Sequence, residues 1–120
     1  MTTFGKRIRE LRQAKGWTLR ELAPKVGVGF TYLSKVENSR LDFGDYPSEA
    51  LIHRLAEALD ADEEELLLLA DKVPSVIRRR IREKPEAFRR LARLDDSSLD
   101  LIVAQLETDA ESDTSEWISP

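Results

Sequence analysis

Between Thr18 and Arg40 the chain concentrates side chains that recognise rather than react. Arg20, Lys35 and Arg40 carry positive charge, and Thr18, Thr31, Tyr32, Ser34 and Asn38 carry hydroxyl or amide groups. Phe30 offers an aromatic ring, and Gly29 leaves its backbone uncovered. Groups of this kind donate to guanine edges, bond phosphate oxygens and press on thymine methyl groups. Lys35 suits guanine or phosphate, Thr31 and Ser34 either, and Phe30 a thymine methyl. Arg20 and the exposed start of the Thr18–Glu21 turn suit phosphate, where a cation and free N–H groups converge. Asn38 and Arg40 suit backbone contacts. For Tyr32 two readings stay open, a phosphate contact through its hydroxyl and packing against the loop.

Catalytic chemistry is poorly served by comparison. The chain has one histidine, His53, and no cysteine, so thiolate metal sites, disulfides and thiol nucleophiles are all excluded. His53 falls off the apolar stripe of its helix and reads as a surface residue, not a metal ligand or a general base. The acids Asp62 to Glu65 read as a helix start. No enzyme activity, metal or cofactor is expected.

The elements that must hold the recognition residues follow from the apolar spacing. Leu22 and Val26 lie four apart and share one face of a helix, and Thr18 with Glu21 has capping-box spacing at its start. Gly27 stands where that helix must stop and the chain must turn with positive φ. Val28 plugs the corner. In a second helix, Leu33 and Val36 meet Leu22 and Val26, while Ala23 is small enough for close approach. Pro24 lacks an N–H and crowds the preceding turn, so a kink or an early end is predicted there. Before this unit, Thr3–Lys15 reads as a helix with Phe4, Ile8 and Leu11 on one face and Lys6, Arg7, Arg9, Arg12 and Lys15 elsewhere. Gly16 ends it, and Trp17 is expected to anchor the core.

The segment Leu19–Asn38 resembles the helix-turn-helix of the Cro/CI-type (Xre) family of bacterial and phage regulators. The small residue, turn glycine and buried apolar positions of that family match Ala23, Gly27, Leu22, Val26, Leu33 and Val36. The resemblance covers roughly residues 3–72. It implies a five-helix domain whose second motif helix enters the major groove, and a partly buried ion pair between Arg12 and Glu37. Three positions depart from the family pattern. Leu19 stands where a phosphate-binding glutamine is frequent, Pro24 sits inside the first motif helix, and Ser39 replaces the usual glycine after the second.

Beyond the motif, Phe43 and Tyr46 in the connection Ser39–Pro47 are expected to tuck onto the core. Ser48 can cap a helix with Leu51, Ile52, Leu55, Ala56 and Leu59 as its stripe. Asp62 and Glu65 repeat the capping-box spacing before Leu66–Ala70. Pro74 permits a sixth helix and Pro85 starts a seventh. Asp96 and Ser97 offer caps for an eighth, in which Leu99, Ile102, Val103 and Leu106 form a stripe. That stripe either docks on helices six and seven or pairs with a second subunit. The fold class is therefore all-α: a five-helix Cro/CI-type domain over 1–72, a helical extension over 73–108 for dimerisation or regulation, and an acidic disordered tail over 109–120.

Charge is blocked along the chain. Residues 1–40 hold nine Lys/Arg against three acids, and residues 41–72 two against ten. Residues 73–94 hold eight against two, and residues 95–120 none against eight. The net charge of −4 thus hides a basic reading head, and phosphate binding needs only the local field. The arginines of 78–93 either extend that footprint, form a solvated face or pair with the acidic segments. The longest apolar run, Leu66–Ala70, is too short for a membrane span and no signal-like stretch opens the chain, so a cytoplasmic protein is expected.

The expected function is sequence-specific transcriptional repression by a homodimer on a palindromic duplex operator. Residues 19–76 also resemble regulators encoded beside zinc metallopeptidases of the ImmA/IrrE type. That resemblance implies a peptidase partner that would lift repression by cutting after Leu94. The alternative is an antitoxin-like interaction protein that neutralises a toxin partner through its C-terminal region and regulates its own operon.

Overall fold

The computed structural model describes residues 2–41 and 46–118, with side chains as far as residue 110. Among these residues the secondary structure is entirely helical: α1 (Phe4–Ala14), α2 (Leu19–Lys25), α3 (Phe30–Glu37), α4 (Glu49–Leu59), α5 (Glu63–Leu69), α6 (Ser75–Glu83), α7 (Pro85–Ala92) and α8 (Asp96–Ile118). The chain divides into two compact units, Met1–Ser75 and Val76–Pro120.

In the first unit the starts of α1, α2, α4 and α5 are each fixed by a side chain written for it. The Thr3 hydroxyl accepts from the Lys6 N–H at 3.2 Å. At α2 the Thr18 hydroxyl accepts from Glu21 N–H at 3.2 Å while the Glu21 carboxylate accepts from Thr18 N–H at 3.3 Å, a complete capping box. Ser48 caps α4 through Leu51 N–H at 3.1 Å. At α5 only half of the expected box forms. Asp62 accepts from the N–H groups of Glu64 and Glu65 at 2.9 and 3.4 Å. The Glu65 side chain turns away to Arg7 on α1, at 2.6 Å, because that cation offers a stronger partner than the cap backbone.

Helix ends are equally specific. α2 contains Pro24, whose ring nitrogen has no hydrogen for the Arg20 carbonyl, and it stops one residue later at Lys25. Gly27 then takes φ +71°, with Val28 N–H on the Ala23 carbonyl at 3.1 Å and Gly27 N–H on that of Pro24 at 3.3 Å, a Schellman closure. α3 ends the same way: Ser39 takes φ +56°, and the N–H groups of Arg40 and Ser39 bond Lys35 and Val36 at 2.9 and 3.3 Å.

These ends aim the apolar stripes at one centre. Ile8, Leu22, Val26, Leu33, Ile52, Leu55 and Leu66 are fully buried, with Val36, Leu51, Leu59 and Ala23 nearly so. Trp17 is half-buried against this core, not enclosed by it, and its ring carries Lys25 Nζ at 4.7 Å. Tyr46 corrects an expectation, being 62% exposed. It sits on the rim of a groove shared with Phe4, Leu41 and Leu69, and Pro47, not Tyr46, is the neighbouring loop residue that is buried. Phe43 lies outside the described residues.

In the second unit, Pro85 occupies the first turn of α7. The cap of α8 is Asp95, not Asp96 or Ser97: its carboxylate accepts from Ser98 N–H at 2.8 Å. That backbone bond first, and the Ser98 hydroxyl next, hold the Asp95 carboxyl below the usual carboxylate range. α8 runs to Ile118, into the segment expected to lack order. Once Leu99–Leu106 is helical, each added residue costs only propagation, and neither glycine nor proline intervenes before Pro120. Bonds from the Gln105 amide to the Asp109 carboxylate and from the Thr108 hydroxyl to the Ala104 carbonyl, both 3.1 Å, accompany the extension. Among the described side chains of residues 76–110 none is buried.

Candidate nucleic-acid interface

The position of α3 is set by a polar clamp on its inner face. Glu37, whose side chain is 1% exposed, receives Arg12 Nε on Oε2 at 2.7 Å and Arg12 Nη2 on Oε1 at 2.9 Å. The expected ion pair is therefore present as a bidentate fork, the geometry in which a guanidinium bonds a carboxylate best. Arg12 Nη1 also donates to the Trp17 carbonyl at 2.8 Å, so one side chain ties α1, the α1–α2 turn and α3 together. The hydrogen bond to Glu37 first, and its charge, raise the Arg12 pKa above the usual value against the opposing effect of burial.

Two contributors to this clamp, Arg9 and Gly5, and one to the end of α2, Arg54, carried no role in the sequence analysis. Arg9, placed by its spacing only off the apolar face of α1, reaches Glu37 Oε1 at 3.4 Å and Asn38 Oδ1 at 2.6 Å. Gly5 on α1 lies so close to α3 that a Cβ there would collide with the carbonyl oxygens of Val36 and Glu37. Arg54 on α4 donates to the Val26 carbonyl at 2.9 Å and so satisfies the C-terminus of α2. A glycine inside an otherwise good helix was a usable signal for Gly5. Nothing local marked Arg9 or Arg54.

With Leu33, Val36 and Glu37 turned inward, the opposite face of α3 is left open. Phe30, Thr31, Lys35, Asn38 and Arg40 are exposed, and Ser34 and Tyr32 half-buried. A shallow cleft of about 280 Å³ runs along Phe30, Thr31, Ser34, Lys35, Asn38 and Arg40. Asn38 is partly committed, since its amide donates to the Ser34 carbonyl at 2.8 Å while its oxygen accepts from Arg9. Thr18 is committed to the capping box. Gly29 caps α3 with no side-chain bond, and a Cβ there would meet nothing within 4 Å. Arg20 stands 4.7 Å above the centre of the Phe30 ring. The structure thus gathers Arg20 and the α3 residues on adjoining elements, with Thr18 at the start of α2.

Residues 3–69 match the family described as "Helix-turn-helix domain". The chain belongs to that family. The spacing of Leu22, Ala23, Val26, Gly27, Leu33 and Val36 places it with the Cro/CI-type regulators. Among curated relatives it is 33% identical over 88 residues to the uncharacterized HTH-type transcriptional regulator RghRB of Bacillus subtilis (strain 168), covering 73% of this chain and 60% of that protein. It is 34% identical over 76 residues to the HTH-type transcriptional repressor RghR of the same organism, covering 63% and 54%. This helix-turn-helix chain therefore spans little more than half the length of those relatives. The solved SinR protein/SinI protein complex matches at TM-score 0.50 and 23% identity over 91% of this chain and 99% of that one, a likeness of fold alone.

Proposed function

We propose that this chain is a DNA-binding transcriptional repressor that reads a palindromic operator as a homodimer. One observation carries the reading. α3 is clamped from inside by the Arg12–Glu37 fork, so its outer face, with Phe30, Thr31, Ser34 and Lys35, is presented rigidly and uncovered. A helix held this way can enter the major groove with its N-terminal residues at base edges, while Arg20 and Arg40 suit phosphates. One such helix reads too few base pairs for selectivity, so two heads on half-sites about 34 Å apart supply both affinity and choice. The unburied stripe Leu99, Ile102, Val103 and Leu106 of α8 supports pairing through the C-terminal unit. Repression follows from occlusion of a promoter, in keeping with the relative named as a repressor.

Selection of sites from random duplex DNA tests this directly. A palindrome with half-sites one turn apart and affinity falling steeply with salt is the expected result; failure to bind any duplex at low ionic strength overturns it. Release by a metallopeptidase belongs to the same proposal. Cutting after Leu94 would detach α8 while leaving the reading head folded, and an intact chain under conditions that free the promoter removes that step. A second reading is capture of a partner protein such as a toxin by the acidic tail, supported by the four acids and no cation of residues 109–120. Deleting residues 109–120 would then abolish capture and spare DNA binding.

A further inference from the structure

We infer that Arg20 and Phe30 act as one base-reading unit, in which Arg20 pins the Phe30 ring for contact with a thymine 5-methyl group. Arg20 is then a positioning residue for sequence choice and not a phosphate contact alone. The inference rests on the DNA-binding reading above.

Phe30 is the first residue of α3, the end of the helix that approaches base edges in this docking geometry. It keeps 41% exposure, and Gly29 before it presents no side chain that could screen it. On its own, an exposed phenyl group samples several rotamers, and ordering it on DNA would cost affinity. The guanidinium of Arg20, ten residues earlier and on another helix, lies 4.7 Å from the ring centroid. At that distance a cation is attracted to the ring face, and a planar guanidinium can stack on it. The ring is thus ordered before DNA arrives. Stacking uses the face of the guanidinium and leaves its N–H groups, which point outward in its plane, able to donate to a phosphate or a guanine edge. Thymine is the natural base that carries a methyl group into the major groove, so an ordered apolar ring at that place discriminates by the methyl.

Deoxyuridine isolates that single group. In the selected operator each thymine is replaced in turn by deoxyuridine, and affinity is measured for the full chain and for Phe30→Ala, Phe30→Leu and Arg20→Ala. Helical circular dichroism confirms that each variant is folded. The intact chain should lose affinity by about fourfold at one thymine per half-site, the value of one buried methyl. Phe30→Ala and Arg20→Ala should each bring the thymine-to-uracil ratio to about one. In a Phe30→Leu background, which keeps apolar reach but has no ring to stack, adding Arg20→Ala should leave the ratio unchanged. An intact chain indifferent to every thymine methyl overturns the inference. So does an Arg20→Ala variant that binds both duplexes more weakly with the ratio preserved, the signature of a plain phosphate contact. Absence of duplex binding at low salt by the intact chain overturns the DNA-binding reading itself, and the inference with it.

Discussion

Gly5 and Glu37 show how two inward-facing residues set the place of the outer face of α3. Gly5→Ala would gain helix propensity, yet the new methyl would strike main-chain oxygens of Val36 and Glu37 that cannot rotate aside. The collision outweighs the gain, and a loss of about 1–3 kcal/mol is expected in urea unfolding. Glu37 is nearly inaccessible and depends on its cations. Arg12→Ala would leave the carboxylate with Arg9 alone, at 3.4 Å, and should cost about 3 kcal/mol. Combining it with Glu37→Ala should cost clearly less than the two single losses together, because the pair fails as a unit. The Arg12–Glu37 contact was anticipated from family resemblance alone. Gly5 and Arg9 were not, since their effect depends on a neighbour more than twenty-five positions away in the chain.

At the scale of the helix, what was legible was what is local. Capping residues Thr18, Ser48 and Asp62 and the turn at Gly27 announce themselves within four residues, so α2, α4 and α5 begin and α2 ends where the sequence says. The missing half of the α5 box was not legible, because it was decided by Arg7 on a distant helix; at Tyr46 the loop buries the adjacent Pro47 instead, a choice between two neighbours that their types do not rank. Ser39 is a local misfit: an L-residue at φ +56° where the helix end calls for glycine. Ser39→Gly should stabilise the chain by roughly 0.5–1 kcal/mol in thermal or urea unfolding, the relief of left-handed strain less the extra freedom of an unfolded glycine.

The α4–α5 junction carries a contact that responds to pH. His53 Nδ1 meets Glu63 at 2.6 Å and Nε2 meets Glu57 at 2.9 Å. The Glu63 hydrogen bond first, then the charges of Glu57 and Glu63, raise its pKa above the usual 6.5. A raised value means protonation is favoured by folding. The stabilisation is complete below about pH 6.5 and is lost as pH climbs through the folded pKa. The unfolding midpoint of the full chain should therefore drift down as pH rises above 6.5, and His53→Gln should flatten that drift. A slope unchanged by the substitution would assign it to other groups.

For the molecule as a whole, the two units differ in how they satisfy their apolar residues. The first encloses Ile8, Leu22, Leu33, Ile52, Leu55 and Leu66 completely. The second leaves Val76, Leu94, Leu99, Leu101, Ile102, Val103 and Leu106 exposed by 38–72%. A unit in which none of the described side chains is buried gains little from hydrophobic transfer within itself, so its order should depend on a covering surface. The charge blocks make a second copy a fitting cover: residues 73–94 carry eight cations against two acids and residues 95–120 carry eight acids with no cation. A twofold pairing could set the basic stretch of one chain beside the acidic stretch of its partner. Association coupled to folding obeys mass action. Each tenfold dilution should then remove about 1.4 kcal/mol from the C-terminal transition and none from that of the reading head. Thermal unfolding followed by helical circular dichroism over a hundredfold range of concentration should show one melting step that moves and one that stays. If both steps stay, the C-terminal helices are not ordered by self-association, and the proposed homodimer loses its support from the unburied face of α8.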